Sequence, residues 1–85
     1  MPLFYRITVY PVPNNGNFRV DLFGIDKKVR MDLLDMAGRL QKSQLLTAQS
    51  NPVSVNLPSG TYLLVFYDAD RKNERLGAQE IIILK

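Results

Sequence analysis

The segment of this 85-residue chain nearest to a metal site is Asp68-Ala69-Asp70-Arg71-Lys72-Asn73-Glu74, because Asp-x-Asp is how a calcium loop begins. Such a loop also needs an oxygen ligand at its fifth position, a glycine at its sixth and a glutamate at its twelfth. Here those positions hold Lys72, Asn73 and Gln79, and three acids in the segment meet three bases, Arg71, Lys72 and Arg75. The segment reads as a solvated hairpin tip, and neither a metal nor a cofactor is expected. The chain has no Cys, His or Trp. It therefore has no thiolate nucleophile, no Cys/His zinc site and no histidine base. No acid/base pair can be placed, so no catalytic residue is expected and the protein is not read as an enzyme. The absence of cysteine excludes a disulfide scaffold and leaves the compartment open.

The remaining concentration of charge is Lys27-Lys28-x-Arg30, within a chain of net charge +3 and isoelectric point near 9.5. The excess lies in residues 1–42, where seven Lys/Arg oppose four Asp; the rest of the chain holds four of each sign. The signs interleave as Arg19/Asp21 and Arg30/Asp32, the pattern of a solvated strand face with cross-strand ion pairs. A phosphate-binding stripe would be more one-signed, and a single-strand platform would interleave aromatics with bases. Only Tyr5/Arg6 and Arg19/Phe23 hint at the latter, so no nucleic acid partner is expected. Lys27 and Lys28 read first as a solubilising hairpin turn and second as a docking site for an acidic surface.

The elements that position these groups are short strands. An 85-residue chain buries only about 60–65% of its unfolded surface, so most apolar residues must be in one core, and a single domain over residues 1–85 is expected. Phe4 to Tyr10 is rich in aromatic and β-branched residues and stops at Pro11-Val12-Pro13, where two prolines remove ladder donors. Asn14-Asn15-Gly16 supplies residues that tolerate positive φ, as for a turn. Asn17 to Phe23 alternates, with Phe18, Val20 and Leu22 on one face, and Val29 to Leu34 does the same through Val29, Met31 and Leu33. Asp35-Met36-Ala37-Gly38 places Asp where it caps a type I turn and Gly where a left-handed residue closes a bulge. A second hairpin strand then runs from Arg39 to about Leu46. Helix propensity over Asp32 to Leu46 offers a competing reading, against which Gly38 counts about 1 kcal/mol.

Pro52 opens a strand with Val53, Val55 and Leu57 on one face, and Leu57-Pro58-Ser59-Gly60 fits a type I turn. Thr61 to Tyr67 is apolar on both faces and is expected to be a central strand covered from both sides. Asp68 to Arg75 is a loop, and Gln79 to Leu84 closes the chain. Seven short strands separated by turn chemistry give an all-β fold, an antiparallel two-sheet β-sandwich of immunoglobulin-like type. No stretch reaches the roughly 18–20 apolar residues of a membrane span, and Met1 to Arg6 has no signal-peptide pattern.

In order, the punctuating residues resemble a known family. Tyr10-Pro11-Val12-Pro13-Asn14-Asn15-Gly16-Asn17-Phe18 is similar to the YPNPxxGxF opening of the C-terminal sorting domains of the type IX (Por) secretion system, type A, with Val12 where the family carries Asn. Asp35-Met36-Ala37-Gly38-Arg39-Leu40 resembles its D-x-x-G-R/K-hydrophobic hairpin, and Val55-Asn56-Leu57-Pro58-Ser59-Gly60-Thr61-Tyr62 its hydrophobic-x-L-x-x-G-x-Y segment. A short apolar strand ending on Lys85 matches the way these domains finish.

The resemblance implies a folded address label. It directs a cargo protein, attached N-terminal to it, from the periplasm across the outer membrane to the cell surface or medium. Its partners are the outer-membrane translocon and a sortase-like peptidase that removes the domain. The signature residues on this reading are Tyr10, Pro11, Pro13, Gly16, Phe18, Asp35, Gly38, Arg39, Leu57, Gly60, Tyr62 and Lys85. Pro11, Pro13 and Gly16 serve a rigid turn whatever else they do, and Gly38 and Gly60 read as backbone-permitting positions. Docking candidates are Lys27 and Lys28, together with Ile81, Ile82 and Ile83. That apolar run is either sheltered by a neighbouring sheet or open to edge pairing with a receptor or a second copy. The alternative from another class is an extracellular adhesion or carbohydrate-binding β-sandwich, with Tyr5, Tyr10, Phe23 and Tyr67 as the aromatics.

Overall fold

Alternating burial organises the chain into seven strands in a computed structural model that describes residues 5–71 and 74–85. They are β1 (Arg6–Tyr10), β2 (Asn17–Phe23), β3 (Val29–Asp35), β4 (Leu40–Leu46), β5 (Ser50–Ser54), β6 (Gly60–Asp68) and β7 (Arg75–Ile83). One antiparallel sheet has the order β1-β2-β5 and the other β4-β3-β6-β7. The core lies between them. Phe18, Val20, Leu22 and Val53 come from the three-stranded sheet; Val29, Met31, Leu33, Leu46, Tyr62, Leu64, Phe66, Ile81 and Ile83 come from the other. The sandwich is the expected one, and the strand β4 forms the hairpin with β3, not the competing helix.

Several boundaries differ from expectation for local reasons. β5 starts two residues before Pro52 and ends at Ser54, so Val55 and Leu57 pack on the core from outside the strand. Pro52 is tolerated inside it because β5 is an edge, where a missing donor faces no partner. β7 begins at Arg75, four residues earlier than Gln79. A register shift opposite Phe66/Tyr67 breaks the alternation there, which hides the strand in the sequence. β1 starts at Arg6, and Phe4 lies outside the described residues. β6 is central between β3 and β7, but its outer side chains Thr61, Leu63 and Tyr67 are only half-buried, so it is covered fully on one face alone.

The interleaved charges also pair differently. Arg30 Nε reaches Asp32 Oδ1 at 3.2 Å along the same strand, while its guanidinium stacks 4.5 Å from the Tyr67 ring centroid on β6. Arg19 donates to Ser50 Oγ, and Asp21 accepts from the Tyr10 hydroxyl, so these two form no cross-strand ion pair. Lys27 and Lys28 lie in the crossover from β2 to β3, which connects the two sheets and is not a hairpin turn.

Candidate functional site: the signature end of the sandwich

Three connections and the end of the last strand gather at one end of the sandwich because the register forces them there. Tyr10 pairs with Arg19, and Asn17 with Ser54, so the β1–β2 loop and the exit of β5 are neighbours. Asp35 pairs with Tyr62, Tyr62 with Ile81 and Gly60 with Ile83, which adds the β3–β4 turn, the start of β6 and the end of β7. This end therefore holds all the segments carrying signature residues. Tyr5 and the β2–β3, β4–β5 and β6–β7 connections lie at the other.

The β1–β2 loop is built on side-chain hydrogen bonds and one glycine. The Tyr10–Pro11 and Val12–Pro13 peptides are both cis. Asn14, 7% exposed, accepts the Gly16 N–H on Oδ1 at 2.8 Å and donates from Nδ2 to the Pro11 carbonyl at 3.0 Å. Asn15 accepts from the Asn17 N–H. Neither asparagine has positive φ, contrary to the expectation for this turn; they act as side-chain acceptors that fold the backbone back on itself. Gly16 has φ +107°, and a Cβ there would collide with the Val55 carbonyl oxygen. Its own carbonyl accepts the Val55 N–H at 2.8 Å. Phe18, two residues on, is buried in the core.

The Asp35–Arg39 turn is as its residue types demand. Gly38 N–H donates to the Asp35 carbonyl at 3.0 Å, and Asp35 Oδ1 accepts from the amides of Ala37 and Arg39 at 2.9 Å each. Arg39 Nε closes the turn on Asp35 Oδ2 at 2.8 Å. The Arg39 amide, with its guanidinium, holds the Asp35 carboxyl below the usual carboxylate range. Gly38 has φ +85° with open space around it, so conformation alone requires glycine.

Tyr62 opens β6 with its ring in the core and donates from its hydroxyl to the Pro58 carbonyl at 2.7 Å, a tyrosine corner that pins the loop before it. Gly60 has no positive φ, and a Cβ there would meet the Tyr62 ring only at ordinary van der Waals distance, so neither backbone conformation nor space requires glycine at this position. Leu57 packs on the core margin. Lys85 bonds this loop twice, its amide to Ser59 Oγ at 2.9 Å and its Nζ to Asn56 Oδ1 at 2.6 Å.

The terminal isoleucines split by face. Ile81 and Ile83 are fully buried in the core and Ile82 is exposed. The edge of β7 is closed at its end by the β1–β2 loop, since the Asn14 amide donates to the Ile82 carbonyl and the Leu84 amide donates to the Asn14 carbonyl. Asn14 is thus the residue that the sequence does not single out for this work. Its signal is local, an Asn two residues before a glycine, but its partner is 70 residues away.

Lys27 stands at the far end and is tied to structure there. Its Nζ lies 3.1 Å from Asp68 Oδ2, a carboxylate with 4% side-chain exposure, and the Lys28 carbonyl accepts from Ala69. The Asp70 amide and Lys27 together hold Asp68 below its usual range, and Asp68 in turn raises Lys27. Asp68 is accordingly committed to this loop junction. The Lys72 and Asn73 positions of the calcium pattern lie outside the described residues, and no three metal-ligating side chains cluster among those described. Of the four aromatics weighed for sugar binding, Tyr5, Tyr10 and Phe23 are exposed, while Tyr67 lies half-buried beneath Arg30.

The marked residues of this β-sandwich build turns and close a sheet edge. The family described as secretion system C-terminal sorting domain matches residues 8–83, nearly the whole chain, and the protein belongs to that family. It is a C-terminal sorting domain of the type IX (Por) secretion system, a non-catalytic family whose members accompany cargo that is secreted or placed at the cell surface. No curated protein matches the chain in sequence.

Proposed function

We propose that this domain is a type A sorting signal read as a folded unit at its signature end, which carries an N-terminally attached cargo from the periplasm across the outer membrane. The observation supporting this is the segregation of the two ends. Tyr5, where the described chain begins, lies beside Leu76, whose carbonyl accepts from its hydroxyl, while the signature loops and Lys85 lie at the other end. Cargo joined before Tyr5 leaves the signature end clear for the translocon. A sortase-like peptidase then has its cutting site at the cargo end, outside the sandwich.

The residues divide by role on this reading. Gly16, Asp35, Gly38 and Tyr62 maintain the shape; Tyr10, Pro11, Pro13, Arg39, Gly60 and Lys85 line the presented end. Lys27 and Lys28 hold the opposite end together. The test joins residues 3–85 to a periplasmic reporter in a bacterium with a working type IX system. The reporter is expected at the cell surface or in the medium, and retention in the periplasm would sink the proposal. Charge reversal at Lys28, which spares the Lys27–Asp68 pair, should leave export unchanged.

A further inference from the structure

The first signature loop holds a reactive pair of residues under constraint. Asn15 is the chain's one asparagine followed by glycine, and an asparagine carboxamide is open to attack by the amide nitrogen of the next residue. Glycine makes that attack easiest, since no Cβ stands beside its nitrogen. The Gly16 nitrogen gives its proton to hydroxide and bonds to Cγ of Asn15; the Cγ–Nδ2 bond breaks and ammonia leaves with a proton from water, restoring the hydroxide. Water then opens the succinimide ring at one of its two carbonyl carbons, and the Gly16 nitrogen recovers a proton. The product is an aspartate, or an isoaspartate whose main chain runs through the side-chain carbon and is one carbon longer. The fold cannot escape this chemistry by giving up the glycine, because Gly16 has φ +107° and a Cβ there would collide with the Val55 carbonyl oxygen.

The two reacting groups differ in exposure and are held by different hydrogen bonds. Asn15 is exposed, whereas Gly16, which supplies the nucleophile, is buried. The Gly16 N–H donates at 2.8 Å to Oδ1 of Asn14, a residue only 7% exposed, so hydroxide has no access to the proton that must leave. The Gly16 carbonyl accepts the Val55 N–H at 2.8 Å, which fixes the other side of the residue. Asn15 Oδ1 accepts from the Asn17 backbone N–H at 3.1 Å and from Asn17 Nδ2 at 3.2 Å, which turns the carboxamide toward residue 17. Ring closure therefore requires the loop to open first. We propose that Asn15 is a spontaneous deamidation site that the folded β1–β2 loop holds in check through Asn14, and that isoaspartate formation there releases the edge of β7. An added main-chain carbon between Asn14, bound to Ile82 and Leu84, and Gly16, bound to Val55, puts the two anchor points out of step. The aspartate product keeps the chain length and an oxygen acceptor for the Asn17 N–H. A chain that folds promptly is spared, and one that stays unfolded loses the means to close its signature end.

The purified protein is aged in mildly alkaline buffer, folded and unfolded in guanidinium chloride, and conversion of Asn15 is followed by peptide mapping with isoaspartate-specific methyltransferase labelling. Conversion is expected to be at least tenfold faster in the unfolded chain. Under folding conditions Asn14→Ala should convert at least fivefold faster than wild type, while Val29→Ala, which removes core packing where β3 begins, stays within twofold. Equal rates in the folded and unfolded chain overturn the protection, and this wild-type comparison decides the matter even if Asn14→Ala does not fold. No acceleration by Asn14→Ala, or an equal one by Val29→Ala, overturns the part given to Asn14. After transfer out of denaturant, the isoaspartate-containing fraction is expected to lose hydrogen-exchange protection at the Leu84 amide, and freshly prepared Asn15→Asp to keep it. Wild-type protection in the isoaspartate fraction, or its loss in Asn15→Asp, overturns the coupling to β7.

Discussion

The amide of Leu84 donates a 2.7 Å hydrogen bond to the carbonyl of Asn14, joining the last residues of the chain to the loop after its first described strand. With the reciprocal bond from the Asn14 amide to the Ile82 carbonyl, this adds one residue of parallel bridge to an otherwise open edge. Edges with unpaired donors and acceptors invite pairing with other chains. The first signature loop thus acts on the last strand, and the two ends of the family pattern are one structural unit.

Asn14→Ala should break that unit from the loop side. The Gly16 N–H and the Pro11 carbonyl both lose their partner, and Gly16 is buried. Leaving a buried donor unmade costs about 1–3 kcal/mol. Urea denaturation should show that loss. Hydrogen exchange should show the Leu84 amide losing protection well before the amides of β3, and unchanged protection at Leu84 would contradict the coupling.

Gly16 and Gly38 should separate two reasons for conserving a backbone shape. At Gly38 a side chain meets only the left-handed conformation, worth about 1–2 kcal/mol, because the space around it is open. At Gly16 the conformation is as unfavourable and the Val55 carbonyl blocks the Cβ as well. Gly16→Ala should therefore lower the urea midpoint by clearly more than Gly38→Ala. Equal losses would mean that the β5–β6 loop moves aside freely.

Tyr62→Phe isolates the tyrosine corner. It keeps the buried ring and removes only the bond to the Pro58 carbonyl, which should cost about 0.5–1.5 kcal/mol. Chemical denaturation checks the size, and a larger loss would show that the 55–59 loop depends on this bond for its whole position.

Lys85→Ala addresses recognition without stability. Lys85 is exposed, so its bond to Asn56 Oδ1 is solvated and substitution should change stability by less than about 0.5 kcal/mol. Reduced export of a reporter fusion with an unchanged urea midpoint is the expected outcome if the end of the chain is presented to the translocon. Normal export would remove Lys85 from the presented surface.

What was legible in the sequence was local. The alternation of Phe18, Val20 and Leu22, and of Val29, Met31 and Leu33, gives strands because a half-buried sheet demands period two. Asp35 and Gly38 give a turn because each residue's preference is met within five residues. What was hidden depends on distance along the chain. Nothing near Asn14 announces β7, nothing near Lys27 announces Asp68, and the early start of β7 is masked by a bulge whose partner is on β6. The outer face of β6 lay between these cases. Leu63 and Val65 read as covered on both faces; in the assembled sheet Val65 is buried, and Leu63 stays half-buried in a row with Leu34 and Leu40.

The junction between the β2–β3 and β6–β7 connections should give the domain an acid limit. Asp68 is held ionised by the Asp70 amide and Lys27, so its pKa in the folded state lies below the ordinary 3.8; Asp35 is lowered likewise by the Arg39 amide. As pH falls below about 3.8 the unfolded chain takes up these protons first, so the stabilisation present above that value is lost, completely once pH is below the folded-state values. Lys27 behaves oppositely: raised above 10.5, it contributes below that pH and is lost as pH rises through the folded-state value. Urea midpoints should therefore be flat from near pH 5 to 9 and fall on the acid side. Asp68→Asn should be less stable than wild type at neutral pH, with the gap narrowing toward pH 3. A gap that stays constant with pH would assign the Asp68 contribution to hydrogen-bond geometry and not to charge.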